Sequence, residues 1–564
     1  MAASLVPFMA LRLWTILLFL AGFSSAADNC IPSPLALPIE NVTLHSGYVR
    51  RGVAISVGEP AQKLSFIPRW NNNNTFIYGP KCGQPSTFTR AECNTWRGGL
   101  YEPKNSTIDG TLKKDYLPVS ENWASNTYNM FTSTLRLGDA FTLKDFPMAQ
   151  PVDPDGWGLL GYSPQHILGM GPDSTLLSSL RNAGRIASKS VGYYWGPDSA
   201  DSKGDAPGSF VLGGYDRAKT YGDGHQIEYT LGRVDCLSKM MVSISDLVLN
   251  FPNGTSRSIF PSDHDGSTLD ACIYPHNPNF MKLGGDPWFD NLLAAIDNKD
   301  MGRSQRQGVD YWSVLLDPEK PIFKGDITVK LNTGLDVTVP NDQFMVTERR
   351  INEDGEIFRN DSQPLIRIDR VNGGLPSLGR YFLTAAYLAT NEDSGTFTLW
   401  KANPTSDQDL VALDTNNKAV DSQNLCTTPP ATSVLAEPDE GEVSEVAEGT
   451  ASPSNENESD YKDDENNDNK QGPGLSGAAI AGIAAGAGVS VLAGIGIFTW
   501  WFLRRRRRRE SGEADAISLS STYTHTRWSR SDSIKLAFPS QAYPHYIPQE
   551  LGATVRKPAP IEMP

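Results

Sequence analysis

Few residues in this chain have the types and spacing that chemistry needs. The clearest acidic signature is Asp393-Ser394-Gly395-Thr396, a carboxylate beside a hydroxyl and a glycine that permits a tight turn. Its flanks, Leu388–Thr390 and Phe397–Trp400, alternate as hairpin arms do, so it reads as a turn between strands. Asp265-Gly266-Ser267-Thr268 has similar letters in another order and is also expected to be a turn. The seven histidines are scattered. Without H-E-x-x-H, paired C-x-x-C or a P-loop, no metal or other cofactor is expected. Six cysteines remain: Cys30, Cys82, Cys93, Cys236, Cys272 and Cys426. An even number in an oxidising compartment suggests three disulfides, with Cys82–Cys93 and Cys236–Cys272 as local pairs and Cys30–Cys426 left to tie the ends.

The compartment follows from the apolar segments. Residues 1–26 have the form of a secretory signal: Arg12, the apolar run Leu13–Gly22, then Ser24 and Ala26 as small residues around a cleavage point. A second apolar run, Leu475–Leu503, is long enough to span a bilayer as one transmembrane helix. It ends in Trp500 and Trp501 and is followed by Arg504 to Arg509, which stop translocation. This predicts a single-pass type I protein with 27–474 outside and 504–564 inside, at the plasma membrane or on endosomal or vacuolar membranes. A cleaved glycolipid-anchor signal would end the chain, and here a further segment follows. Gly482, Gly486, Ser490 and Gly494 recur every four residues, which suits a close helix–helix dimer and equally suits a Gly-rich span without a partner. The glycosylation sequons at Asn41, Asn73, Asn105, Asn253, Asn360 and Asn457 all fall on the outer side. The Asn73 sequon suggests that its loop is exposed.

Composition then divides the 564 residues. Residues 28–426 carry short alternating runs such as Val53–Val57, Leu64–Ile67, Phe210–Leu212 and Ile327–Leu331, punctuated by Gly, Pro, Asn and Asp, the mark of mostly β structure. Ser174–Asn182 and Pro287–Asp297 are the better helical stretches. Residues 427–474 form a stalk without a core, and within it 433–470 hold 13 acids against two lysines. The tail, 504–564, is basic, and Ser529 and Ser533 follow arginines as sites that basic-directed kinases favour. No basic face appears in the bulk of the chain, which excludes nucleic acid as the expected partner.

Several phrases resemble the pepsin-type aspartic protease family, especially its fungal branch. Gly47-Tyr48-Val49 with Val53–Gln62 resembles the opening strand and its I-G-T-P-x-Q turn. Arg97–Pro103 resembles the segment before the flap, Trp157–Tyr162 the G-I-L-G-L-G turn, Gly208–Asp216 the end of the first lobe, and Leu378–Leu383 with Tyr387 the L-G-x-x-F-L phrase of the second. The resemblance implies a bilobal fold, with lobes at 28–216 and 217–426, and a cleft for an extended peptide. It also implies two aspartates sharing a proton to activate water.

Those aspartates are missing. The first position falls on Arg69, in Gln62-Lys63-Leu64-Ser65-Phe66-Ile67-Pro68-Arg69, and no Asp lies between Asp28 and Asp109. The second falls on Tyr274. Arginine stays protonated and a phenol is no base at acid pH. The flap Tyr also lacks a counterpart, Tyr128 being the nearest. The expected function is a surface binding or sensing pseudoprotease, with a peptide or cell-wall ligand in the cleft. Two other readings stay open: an active endopeptidase using other carboxylates, and a structural or adhesive glycoprotein.

Overall fold

The computed structural model describes residues 30–81, 88–103, 121, 128–139, 141–152, 164–199, 204–261, 268–304 and 309–426. The signal segment, stalk, apolar span and tail lie outside these residues, and no helix among the described residues is long and apolar enough to cross a membrane.

Period-two alternation becomes strand throughout. In Val49–Val57 the side chains of Val53, Ile55 and Val57 face inward, and the strand pairs antiparallel with Gln62–Arg69 in the register Val53↔Phe66 and Ile55↔Leu64. These strands belong to a sheet of 11. Thr220–Glu228, Ala386–Asn391 and Thr396–Ala402 lie at one end of it. Eight strands form a second sheet, centred on Met241–Asn250, Leu269–Ile273 and Asp326–Leu331. Smaller sheets of four and two strands complete the strands among the described residues. One apolar cluster runs through both large sheets, including Ile39, Phe66, Leu135, Ile273, Val329 and Leu388. Its continuity is what the scattered apolar runs of the sequence bury together.

Helices are few. Thr175–Asn182 is capped by Ser174, whose hydroxyl accepts from Leu177 N at 3.1 Å. The expected helix at Pro287–Asp297 is shorter than its sequence pattern: a wide turn over Gly285–Phe289 leads into Asp290–Ala295, which buries only Leu292. Arg90–Arg97 is a helix that the apolar pattern did not announce.

Two loops are built alike. The strand Gln62–Arg69 pairs in parallel with His166–Gly169, and Leu269–Ile273 pairs in parallel with Ser377–Leu378. In the loop after the first strand, Asn72 N donates to Arg69 O and Gly171 N to Asn72 O, at 3.4 and 2.7 Å. In the loop after the second, Asn277 N donates to Tyr274 O and Arg380 N to Asn277 O, at 2.9 and 3.0 Å. Both are braced by a glycine with no room for a side chain. A Cβ on Gly169 would stand 2.5 Å from Asn74 O, and one on Gly379 would stand 2.2 Å from Asn279 O.

Candidate functional site

Arg69 and Tyr274 each open one of these two loops and lie within electrostatic reach of each other. Arg69 is 5% exposed, and its Nε donates to Asn71 Oδ1 at 2.8 Å. Burial pulls its guanidinium down to about 10, against the opposing influence of Tyr78, Tyr311, Glu121 and Tyr274. It is still a cation at any physiological pH. The Tyr274 hydroxyl accepts from Leu237 N at 2.9 Å and donates to Asp235 O at 3.3 Å, and burial raises its pKa. Next to it, His276 is buried and its ring meets that of Tyr274 edge-on at 5.5 Å. Burial, then Arg69, Arg380 and Lys282, hold the imidazole well below its usual range, so it is neutral. Cations, phenols and a neutral imidazole therefore surround the two loops. The two carboxylates that share partners nearby, Asp198 and Asp310, are both held by Arg349 and the Tyr381 hydroxyl.

One acid does approach. Glu121 Oε1 accepts from Asn73 N at 2.9 Å, Asn74 N at 2.6 Å and Asn74 Nδ2 at 2.9 Å, and Oε2 accepts from Asn72 Nδ2 at 3.1 Å. Burial raises this carboxyl and those donors oppose the rise. Four donors on one carboxylate make it a brace for the loop. The loop is correspondingly enclosed: Asn72, Asn74 and Thr75 are 1%, 0% and 0% exposed. The loop at Asn73 is thus more enclosed than expected, with Asn71 and Asn73 half-buried, because the Asn72 and Asn74 amides bond inward to Glu121 while Gly169 and Gly171 pack against the loop backbone.

The remaining predicted residues are spread out. Cys30–Cys426 and Cys236–Cys272 are disulfides, with Cα separations of 4.8 and 5.6 Å. Cys93 is buried on Arg90–Arg97, and Cys82 lies outside the described residues. Asn41 and Asn253 are exposed and Asn360 is half-buried. Asn105, Asn457, Gly482, Gly486, Ser490, Gly494, Ser529 and Ser533 lie outside the described residues, as do Asp265-Gly266-Ser267. Asp393 sits in the hairpin turn between Ala386–Asn391 and Thr396–Ala402, where it accepts from Arg181 Nη1 at 2.6 Å and Lys189 N at 2.8 Å.

Sequence reasoning missed a set of buried arginines beside the loops. Arg349 bonds Asp198 and Asp310, each at 2.8 Å, and Arg367 Nε bonds Asp310 at 3.0 Å. The Tyr381 hydroxyl donates to Asp198 Oδ2 at 2.9 Å. Arg50 and Arg380 are 3% and 6% exposed, and neither forms an ion pair with a described carboxylate. Arg380 instead donates from Nη2 to His276 O at 2.6 Å and from Nε to Asn277 O at 3.2 Å, which fixes the second loop. The only sequence signal was the Arg50-Arg51 doublet at the head of an apolar strand, and alternation through Val53, Ile55 and Val57 would have turned Arg51 inward in place of Arg50. No protein-family model and no curated protein matches this chain.

Proposed function

We propose that this chain is a membrane-anchored pseudoprotease: a bilobal, pepsin-like ectodomain that binds a ligand without hydrolysing it, carried on a single type I span. The observation that carries this reading is the pair of equivalent loops opened by Arg69 and Tyr274. Aspartic-type hydrolysis needs one ionised and one protonated carboxyl sharing a proton across the two loops. A buried guanidinium repels the proton-sharing arrangement, and the Tyr274 phenol is committed to backbone groups at 235 and 237. The neighbouring Glu121 is a single carboxylate held by loop donors, so it supplies neither half of such a pair.

The test is proteolysis of an unfolded protein substrate by the purified chain at acid pH, with and without pepstatin. No cleavage above the background of an Arg69→Ala variant is the expected result. Pepstatin-sensitive cleavage would establish the endopeptidase reading in its place.

A further inference from the structure

A cavity of about 710 Å³ opens beside the paired loops, lined from the first half of the chain by Tyr48, Arg50, Arg51 and Trp195 and from the second by Arg349 and Arg380. Arg50 is the unusual group. Its Nη1 is buried without a hydrogen-bond partner, and the guanidinium makes no ion pair among the described residues. Burial, then the neighbouring cations Arg380 and Arg349, pull its pKa down to about 10 against the phenols of Tyr311 and Tyr381. Arg51 and Arg380 flank the Trp195 ring, with Cζ 5.3 and 4.8 Å from its centroid. Arg51 Nη2 is spent on the carbonyls of Trp195 and Ala206, at 2.8 and 2.9 Å, while its Nε has no partner. A fold that buries a cation this deeply ordinarily supplies a counter-ion. Asp198, the acid in the cavity wall, is already taken by Arg349, and Asp205 accepts from Ser199.

We propose that this cavity is an anion site whose ligand is a carboxylate side chain of an extended peptide, received by Arg50 with Arg380 and Arg51 around Trp195. The inference rests on the ligand-binding reading above and narrows its ligand. A guanidinium fork suits carboxylate and phosphate alike. The rim decides between them, because Asp354 and Glu356 stand exposed on the hairpin tip that borders the cavity. With acids at the mouth and two unanswered arginines inside, a monoanion is favoured over a phosphate dianion.

The probe is the doubly capped pentapeptide Ala-Ala-Glu-Ala-Ala, titrated calorimetrically into the purified full-length chain, with the glutamine isostere and inorganic phosphate as controls and mass spectrometry to detect cleavage. The glutamate peptide should bind at least about tenfold more tightly than the glutamine peptide and than phosphate, and Arg50→Met should abolish that preference. The thermal transition of R50M without ligand establishes that the variant is folded, and Arg50→Lys, which keeps the charge, should retain part of the preference. Equal binding of the two peptides, or a preference that survives R50M, overturns the anion site while the ligand-binding reading stands. Tighter binding of phosphate overturns the choice of carboxylate, and no binding of the glutamate peptide overturns the site. Cleavage of the peptide would instead overturn the non-hydrolytic reading.

Discussion

Two pairs of largely enclosed arginines in one neighbourhood stand in contrast. Arg349 and Arg367 are answered by Asp198 and Asp310, with Tyr381 closing the network and the Arg367 guanidinium lying 3.6 Å over its ring. Arg50 and Arg380 have no such carboxylates. The residue type is the same and all four lie largely inside, and the difference is what each pair is for. A matched pair in the interior joins distant segments, here 198, 310, 349, 367 and 381. It holds its charges because removing one leaves the others stranded. Arg380 still joins the second loop through the His276 and Asn277 carbonyls, but Arg50, with its Nη1 unpartnered, costs desolvation that no described carboxylate offsets, so its presence is better explained by something that arrives than by the fold.

The largest effect should come from breaking the matched pair. Asp310→Ala leaves Arg349 and Arg367 competing for Asp198 and should cost roughly 3–5 kcal/mol in chemical denaturation. Burial alone would raise the Asp310 carboxyl, but Arg349 and Arg367 outweigh it and hold it low. Its contribution is therefore present above the unfolded carboxylate pKa and is lost as pH falls through the lower, folded one. The acid limb of the stability profile should flatten in Asp310→Asn. A loss below about 1 kcal/mol would mean that the network is not what joins these segments.

Arg50→Met should move stability the other way. The folded pKa of about 10 lies below that of an arginine in water, so relative to the unfolded chain the neutral form is the one the fold favours. The penalty is complete below pH 10, throughout the working range, and is relieved only as pH climbs toward the unfolded value. Replacing the cation with an apolar side chain of similar length should stabilise the ligand-free chain by roughly 1–3 kcal/mol, read as a higher unfolding midpoint. A destabilised R50M would break the contrast between the two pairs.

The contrast itself was not legible in the sequence, and the reason is separation. Asp198 and Arg349 are partners 151 residues apart, and Arg367 reaches the carbonyl of Asp198 across 169. Alternation reports which face a residue occupies within its own strand, never which distant side chain it meets. Local features were read more fully. The hairpin at 386–402 followed from its arms and from Gly395, which takes φ +67°. The helical stretch from Ser174 is there, capped by that serine. Arg90–Arg97 was missed although Thr89 and Glu92 spell a capping box, because so short a helix has too little apolar period to notice. Four consecutive asparagines at 71–74 looked solvated, and only the approach of Glu121, far along the chain, turns them inward.

A half-buried acid offers an intermediate case, an ionisable group answered by a hydroxyl and not by a counter-charge. Glu392 accepts from the Tyr229 hydroxyl at 2.8 Å, and burial pushes its carboxyl up to about 7, against that bond and the more distant Lys239 and Lys189. Because the folded pKa exceeds the unfolded one, its contribution is full below about 4.3 and is lost as pH rises through 7. Acidifying from neutrality should therefore add stability from this group, on the order of 2 kcal/mol, and Glu392→Gln should remove that part of the pH dependence. Thermal unfolding of both proteins across this window measures it. Identical profiles would show that a hydroxyl partner leaves the carboxyl as free to ionise as water does.

The smallest effect belongs to a more exposed ion pair, Arg181–Asp393. It has the same chemistry as Arg349–Asp310, with the arginine side chain 40% exposed where that of Arg349 is 11% exposed. Solvent screens it and side-chain freedom is lost in holding it, so such pairs are worth about 0.2–1 kcal/mol. Asp393→Ala also removes an acceptor from Lys189 N, an amide that water can reach and satisfy. The expected cost is below about 1 kcal/mol, a fraction of that for Asp310→Ala. The same variant separates the letters of Asp393-Ser394-Gly395-Thr396 from their position in the fold. If the motif served chemistry, its loss would abolish any hydrolysis or ligand affinity while barely touching stability. As a hairpin turn whose carboxylate is occupied by Arg181 and Lys189, it should change neither, and peptide titration of Asp393→Ala should overlay that of the unaltered chain.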